Sequence, residues 1–503
     1  MEFEPKNISS SMFIIPFFLF TVFILIWISK KSKPSNSKLP PGPPKLPLIG
    51  NLHQLGSLLH RSLTKLSQKY GPLMHIKLGE ISIIVVSSPE IAKEIMKTHD
   101  TKFSNRPHIL AADIITYGLK GMTFSSYGSY WRQMRKICTF ELLTPKRVES
   151  FKSIREQEVS NIVKEIGLSE GSSINLTKMI NLFAYGLTSR IALGGKSEDQ
   201  EAFMVAMKDV SRLVGGFSVA DLFPSFKVLH YLTGIRSKAE KMHKEIDRIL
   251  EKILRYHQLD TSLEKEGEDF VDVLLRLQKQ NNLEHPLSDR IIKANMLDIF
   301  SAGSGTVAKT LEWAMSELIR NPRLMEKTQI EVRNVFDAKG HVDETNLHEL
   351  KYLKAVIKET LRLHGPVTLL LPRECSENCE INGYEIPAKT KVIVNSYAVG
   401  MDPNYWDEPE KFYPERFIDS IIDYKGLDFQ FIPFGAGRRM CPGTTFGIIN
   451  VEILLANLLF HFDWKMINGV KAEELDMSEV FGLSVRRKHD LYLIPIMYHS
   501  TVE

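Results

Sequence analysis

Apolar residues recur at three- and four-residue intervals through most of this chain, and only a few stretches alternate or run continuously apolar. The helical spacing covers 154–166, 239–256, 271–277, 324–335 and 352–363, each a predicted amphipathic helix. Leu73–Leu78 and Ile81–Val86 read as a hairpin turning at Gly79-Glu80, and 391–395 as a further strand. The longest periodic run predicts a helix from Asp289 to about Arg320, opened by Ser288 as N-cap and stopped by Asn321-Pro322. Gly303 and Gly305 at its centre each cost about 1 kcal/mol against alanine, which predicts a kink or an opened hydrogen bond there. Residues 264–269 and 278–286 read as exposed loops, and no internal repeat is apparent.

The segment 12–28 is apolar except for Pro16 and Thr21, and a helix of this length spans about 25 Å, near the ~27 Å of a thin bilayer. No basic stretch precedes it and no small-residue cleavage pattern precedes Lys30-Lys31-Ser32-Lys33, so the expectation is an uncleaved anchor. Glu2 and Glu4 before the span and the lysines after it place the body in the cytosol. Asn7-Ile8-Ser9 then faces the lumen, whereas Asn175-Leu176-Thr177 never meets the glycosylation machinery. The prolines of 38–44 suggest a stiff extended spacer. The expected division is 1–11 lumenal, 12–28 anchor, 29–45 hinge and 46–503 catalytic body.

Composition narrows the function classes. At 503 residues, with 43% hydrophobic and 25% charged, the chain can bury a large core, and length alone suggests about three domains. A net charge of +4 is too small to imply nucleic acid. Four cysteines, Cys138, Cys375, Cys379 and Cys441, are too few for a disulfide framework and fit a reducing compartment. Cys375 and Cys379 have no second ligand pair at zinc spacing, so they read as ordinary thiols.

The chemistry concentrates in 434–443, Phe-Gly-Ala-Gly-Arg-Arg-Met-Cys-Pro-Gly. A thiolate needs positive charge and donated hydrogen bonds, which Arg438, Arg439 and the backbone of a Gly-rich turn can supply to Cys441. Gly435, Gly437 and Gly443 leave room for a large planar cofactor, and Pro442 can begin a helix through Phe446, Ile449 and Val451. Glu359 and Arg362 stand at i, i+3 on a predicted helix, Pro414-Glu415-Arg416-Phe417 follows, and Trp131 to Arg135 and Leu371 to Cys375 precede the loop.

These motifs, in this order, resemble the cytochrome P450 family. Its haem loop, Phe-x-x-Gly-x-Arg-x-Cys-x-Gly, is matched by Phe434, Gly437, Arg439, Cys441 and Gly443. The matches run from Pro40 to about Val485, which argues for one large domain rather than three. The resemblance implies a mainly α fold with small β-sheets behind one N-terminal transmembrane helix, and haem b (iron protoporphyrin IX) ligated by Cys441. It further implies haem propionates surrounded by Trp131, Arg135, Arg373 and Arg439, and a buried charge network of Glu359, Arg362 and Arg416. NADPH electrons would arrive through a flavin reductase steered by Lys136 and Arg438, on an endoplasmic reticulum membrane.

The long helix departs from the family pattern. In Ala302-Gly303-Ser304-Gly305-Thr306-Val307, Gly303 and Thr306 match, but Gly305 stands where the family carries an acid and Val307 where it carries a second hydroxyl. In the family the acid and alcohol help deliver protons during oxygen activation. Hydroxylation is therefore the leading expectation, with peroxide release or a substrate hydroxyl as proton relay opened by the missing acid. The same stretch is one residue from the phosphate loop Gly-x4-Gly-Lys-Ser/Thr, with Ala308 in place of glycine. Helical periodicity through both sides argues against a nucleotide hydrolase. A reductase-independent rearrangement of hydroperoxides is a third reading, opposed by Thr306 and the anchor.

Residues 40–44, 130–136 and 431–443 look like plant microsomal A-type members, which serve specialised metabolism. The subgroup most resembled oxidises terpenoids, with indole alkaloids also represented. By position the substrate pocket should draw on Ile114, Ile115, Leu213, Phe217, Ile299, Phe300, Ala302, Val367, Leu369, Leu370, Phe481 and Leu483, with Asp113, Thr368 and Ser484 as polar anchors.

Overall fold

A computed structural model describes residues 38–195, 200–215, 217–259 and 268–499, together with Phe18 and Thr21. The expected lumenal segment and anchor, apart from those two residues, lie outside the described residues. The proline-rich stretch from 38 onward is docked on the body rather than extended away from it. Proline carbonyls remain good acceptors: Pro41 O receives the His75 N–H at 2.8 Å, and Asn51 Nδ2 donates to Pro43 O at 3.1 Å.

The predicted hairpin forms with β1 (Leu73–Leu78) and β2 (Ile81–Val86) antiparallel, and Gly79 takes φ +60° at the turn. β3 (Arg373–Glu374) and β4 (Lys391–Val394) complete a four-stranded sheet in the order β1-β2-β4-β3. β2 and β4 pair in parallel, Ile83 opposite Lys391 and Val86 opposite Val394. Burial of Ile84, Val86, Val392 and Val394 explains the nearly continuous apolar run of these central strands.

The rest is chiefly helical. The periodic segments become Lys152–Gly167, Ile235–Leu259, Phe270–Gln280, Pro322–Phe336 and Lys351–His364. Five helices build the site: α1 (Ser129–Leu142), α2 (Leu176–Leu193), α3 (Asp289–Arg320), α4 (Lys351–His364) and α5 (Thr444–His461). α3 is the predicted long helix, with the Ser288 hydroxyl accepting from Ile291 N, and its helical assignment is unbroken through Gly303 and Gly305. Between α2 and α5 it is largely buried. α5 starts at Thr444, two residues later than a Pro442 start would give. Its apolar length would suffice to cross a membrane, but nearly three quarters of it is buried in the body, making it a core helix.

Candidate functional site

One cavity of about 280 Å³ lies between α3 and the loop ahead of α5. Thr188, Ile191 and Ala192 of α2, Asp298, Ile299, Ala302, Gly303, Thr306, Val307 and Thr310 of α3, and Pro366, Val367 and Leu370 contribute to its wall. Cys441 lies in the same wall, with Phe434, Gly435, Pro442 and Gly443 around it. A Cβ at Gly303 would come within 3.2 Å of Thr188 Cγ2, so glycine there sets how closely α3 approaches α2. The Thr306 hydroxyl donates to Ala302 O at 2.7 Å. Gly305 does not line the cavity; it is buried on another flank, where the Lys309 ammonium donates to its carbonyl at 3.0 Å.

The cysteine loop owes its path to its glycines. Gly437 has φ +70°, and a Cβ there would lie 2.0 Å from Met96 O, so no side chain fits. The Cys441 N–H donates to Phe434 O at 3.0 Å, closing the loop. Desolvation by the surrounding loop pushes the Cys441 thiol, which is exposed to the cavity, above its ordinary value; the Gly443 backbone N–H, Arg135 and Thr444 oppose that push. The counter-charge is thus Arg135 rather than the expected Arg438 and Arg439. Arg438 faces Asp100, whose carboxylate accepts its N–H at 2.8 Å.

Arg106, Arg135, Arg373 and Arg439 all reach the cavity wall. Arg439 Nε and Nη2 donate to Ser104 O at 2.8 Å and Ser125 O at 2.6 Å, and its guanidinium stacks 4.4 Å from the Trp131 ring. The Trp131 indole N–H is taken by Met122 O at 3.1 Å. Arg106 Nη1 bridges Leu371 O and Pro372 O, and Arg373 reaches Ala436 O at 3.0 Å and Asp100 at 3.4 Å. Burial, then repulsion from Arg373 and Arg135, lowers Arg439 to about 9, and burial plus Arg439 and Arg373 lowers Arg106 well below its usual range. Four guanidiniums, those of Arg106 and Arg373 buried and those of Arg135 and Arg439 half-buried, with Asp100 as the nearby carboxylate, form a site that an anion relieves. A planar group with an apolar body, two carboxylates and a metal for Cys441 fits this donor set.

The family model for cytochrome P450 matches residues 40–493. The chain belongs to the cytochrome P450 family. It is 55% identical over 489 residues to cytochrome P450 71D10 of Glycine max, covering 95% of each chain. Tabersonine 16-hydroxylase 1 of Catharanthus roseus is 52% identical, covering 96% of this chain and 97% of that one. Salviol synthase of Salvia pomifera is 49% identical, with 95% and 96% covered. Among solved structures, a zebra fish cytochrome P450 superposes with TM-score 0.74 at 22% identity, over 88% of this chain and 100% of that one. As a P450 monooxygenase the protein uses haem held by a cysteine thiolate, with electrons from NADPH through a reductase.

Against this P450 scaffold the other sequence-derived residues fall into three groups. Glu359, Arg362 and Arg416 meet in a buried triad. Glu359 Oε1 accepts from Arg362 Nη2 at 2.7 Å, Arg416 Nε at 3.0 Å and Tyr413 N at 2.9 Å, while Oε2 accepts from Arg362 Nε at 2.8 Å. Ile299, Ala302, Val367 and Leu370 line the cavity. Ile114, Ile115, Phe217, Phe481 and Leu483 do not. Ile115 is fully buried in the helical core, Phe217 and Phe481 pack on the cluster beneath the β-sheet, and Phe481 stacks on His60. Leu483 packs against the helical core, its N–H held by Ser211 O at 3.0 Å. Asp113, Thr368 and Ser484 are likewise absent from the wall. The near-match to a phosphate loop sits wholly inside α3, which removes the nucleotide-hydrolase reading.

Sequence reasoning missed Arg106, Thr123 and Asp298 at the cavity. Asp298 carried a signal: with Ala302 and Thr306 it repeats at four-residue spacing on one helical face.

Proposed function

We propose that the protein oxidises a hydrocarbon-rich plant specialised metabolite, a terpenoid being the favoured class, with Cys441 as the haem ligand. The observation that carries this is the predominantly apolar cavity wall that contains both Cys441 and Thr306. Salviol synthase and tabersonine 16-hydroxylase, near 50% identity, support a specialised metabolite and leave an indole alkaloid as the neighbouring choice. Bound haem supplies oxygen activation. Ile299, Ala302, Val367 and Leu370 orient the substrate by shape and exclude water, Arg135, Arg373 and Arg439 take the haem carboxylates, and the Thr306 hydroxyl holds a proton beside the reacting face. The Glu359 triad fixes the end of α4 that leads to Val367. Residues 12–28 anchor the enzyme in the endoplasmic reticulum membrane in a single pass, with 46–503 as the cytosolic haem domain and the proline-rich end of the 29–45 hinge docked on it.

Gly305 supports a second reading, in which a substrate hydroxyl relays the proton or the product is rearranged. Incubation of membranes carrying the enzyme and a plant reductase with a terpenoid and alkaloid panel tests both. NADPH-dependent oxygenation of terpenoids is the expected result. Product formed from hydroperoxides without NADPH would overturn the monooxygenase cycle for this chain, and oxygenation of alkaloids alone would overturn the terpenoid preference.

A further inference from the structure

The polar groups of the cavity wall are mostly committed. Thr188, Thr306 and Thr310 each donate to the carbonyl one turn back, at 2.8, 2.7 and 3.0 Å. The arginines are all donors and gather toward the cysteine loop. Asp298 is the one carboxylate among the described residues of the wall. It is 5% exposed, and its Oδ2 accepts the Thr123 backbone N–H at 2.7 Å. Room for the carboxyl exists because position 121 is glycine: a Cβ there would lie 2.3 Å from Oδ2.

Among the described residues Thr123 is the one hydrogen-bonding partner of this carboxyl, through its backbone N–H and its hydroxyl, and no cation is paired with it. A carboxylate offers about four acceptor sites, so capacity remains toward the cavity. A buried anion with spare acceptors and no counter-charge is costly until a donor reaches it. Burial raises its pKa to about 6, which leaves it largely ionised at neutral pH. Its position one and two turns before Ala302 and Thr306 puts it on the substrate-facing side of α3.

We propose that Asp298 is the polar anchor of the substrate site, accepting a hydrogen bond from an O–H or N–H group carried on an otherwise hydrocarbon frame. This rests on the apolar-substrate reading above and adds where the substrate's one polar group goes. The same carboxyl holds residue 123 in place, so the donor end of the substrate docks where α3 meets that loop.

The test uses three tricyclic diterpenoids that carry methyl, hydroxymethyl or aminomethyl at one ring carbon: dehydroabietane, dehydroabietinol and dehydroabietylamine. Their affinities for the holoenzyme are measured by calorimetry at pH 7.5 for the native protein, Asp298→Asn and Asp298→Leu. The native protein should bind the alcohol and the ammonium roughly tenfold or more tighter than the hydrocarbon, as hydrogen bonds to a charged group give. Asp298→Asn, which keeps an acceptor for Thr123 N, should lose the ammonium preference and retain part of the alcohol preference. Asp298→Leu should lose both. Each ratio is taken within one variant, so a general loosening of the fold, which weakens all three ligands alike, cannot imitate the result. Preferences that persist in both variants overturn the proposal. Equal binding of all three to the native protein overturns the anchor and leaves the apolar-substrate reading standing, whereas failure of all three to bind overturns both.

Discussion

The Lys309 ammonium donates to the carbonyl oxygen of Gly305 at 3.0 Å, and a Cβ built on Gly305 would lie 3.3 Å from that same nitrogen. A cation therefore occupies the flank of α3 where the family carries an acid. Burial lowers Lys309 to about 8. A carboxylate introduced at 305 would meet a ready partner, and the neighbour that must give way is the flexible end of a lysine. Gly305→Asp should accordingly fold, gain only about 0.3 kcal/mol from removal of a mid-helix glycine, and raise Lys309 toward its ordinary range. Product formed per NADPH should rise if a missing acid limits proton delivery. Gly305→Ala, which supplies the helix gain alone, should leave that ratio unchanged.

Cys441→Ser should abolish the carbon monoxide difference band that marks thiolate-ligated ferrous haem. The substitution changes one small atom in the wall, so secondary structure by circular dichroism should match the native protein. Retention of the band would exclude Cys441 as the ligand.

Glu359 serves two arginines and the Tyr413 N–H from a fully buried position. Glu359→Ala would strand both guanidiniums, at a cost of roughly 3–5 kcal/mol. A marked fall in Tm or failure to accumulate holoenzyme is expected, whereas removal of the half-exposed Lys411–Glu408 pair should change Tm little.

Glu452, buried on α5, is pushed up to about 7 by burial, with Lys354 opposing and Glu344 adding to the shift. The folded protein binds this proton more tightly than the unfolded chain, whose carboxyl titrates near 4.5. Stability from this group is therefore fully present below about 4.5 and is lost as pH rises through 7. Glu452→Gln should raise Tm at pH 8 by an amount equivalent to roughly 3 kcal/mol and leave it nearly unchanged at pH 4.

Lys136 on α1 and Arg438 in the cysteine loop are exposed, and Arg438 faces Asp100 at 3.6 Å. Turnover supported by the reductase should fall as salt rises from 50 to 300 mM, roughly the range over which the Debye length shrinks below 10 Å. Replacing Lys136 with glutamate should lower turnover at 50 mM salt and flatten the fall, because less attraction is left to screen.

Features set by local rules were legible in the sequence. The β1–β2 hairpin and both ends of α3 follow from alternation, a turn glycine and the Ser288 cap, all of which act within a few residues. The cavity was legible only in part. Periodicity assigns Ile115 or Phe481 to an apolar face without saying what covers that face. The helical core took the first, and His60 with the sheet cluster took the second. Gly305 stands out because the family carries an acid there, yet a 100° step per residue from Thr306 turns it to a flank away from the cavity. Asp298 escaped notice because an acid in an apolar stretch reads as a surface position until the loop at 121–123 is seen to cover it.

The parallel pairing of β2 with β4 also bears on synthesis. Val86 waits for Val394, so about 300 residues must leave the ribosome before the sheet can close. At about 5–20 residues per second that interval is roughly 15 to 60 s, during which a hairpin of Ile83, Ile84, Val85 and Val86 presents an open strand edge. The nascent chain thus needs shelter from its neighbours on the polysome, and expression hosts should differ most in how well their chaperones cover this edge.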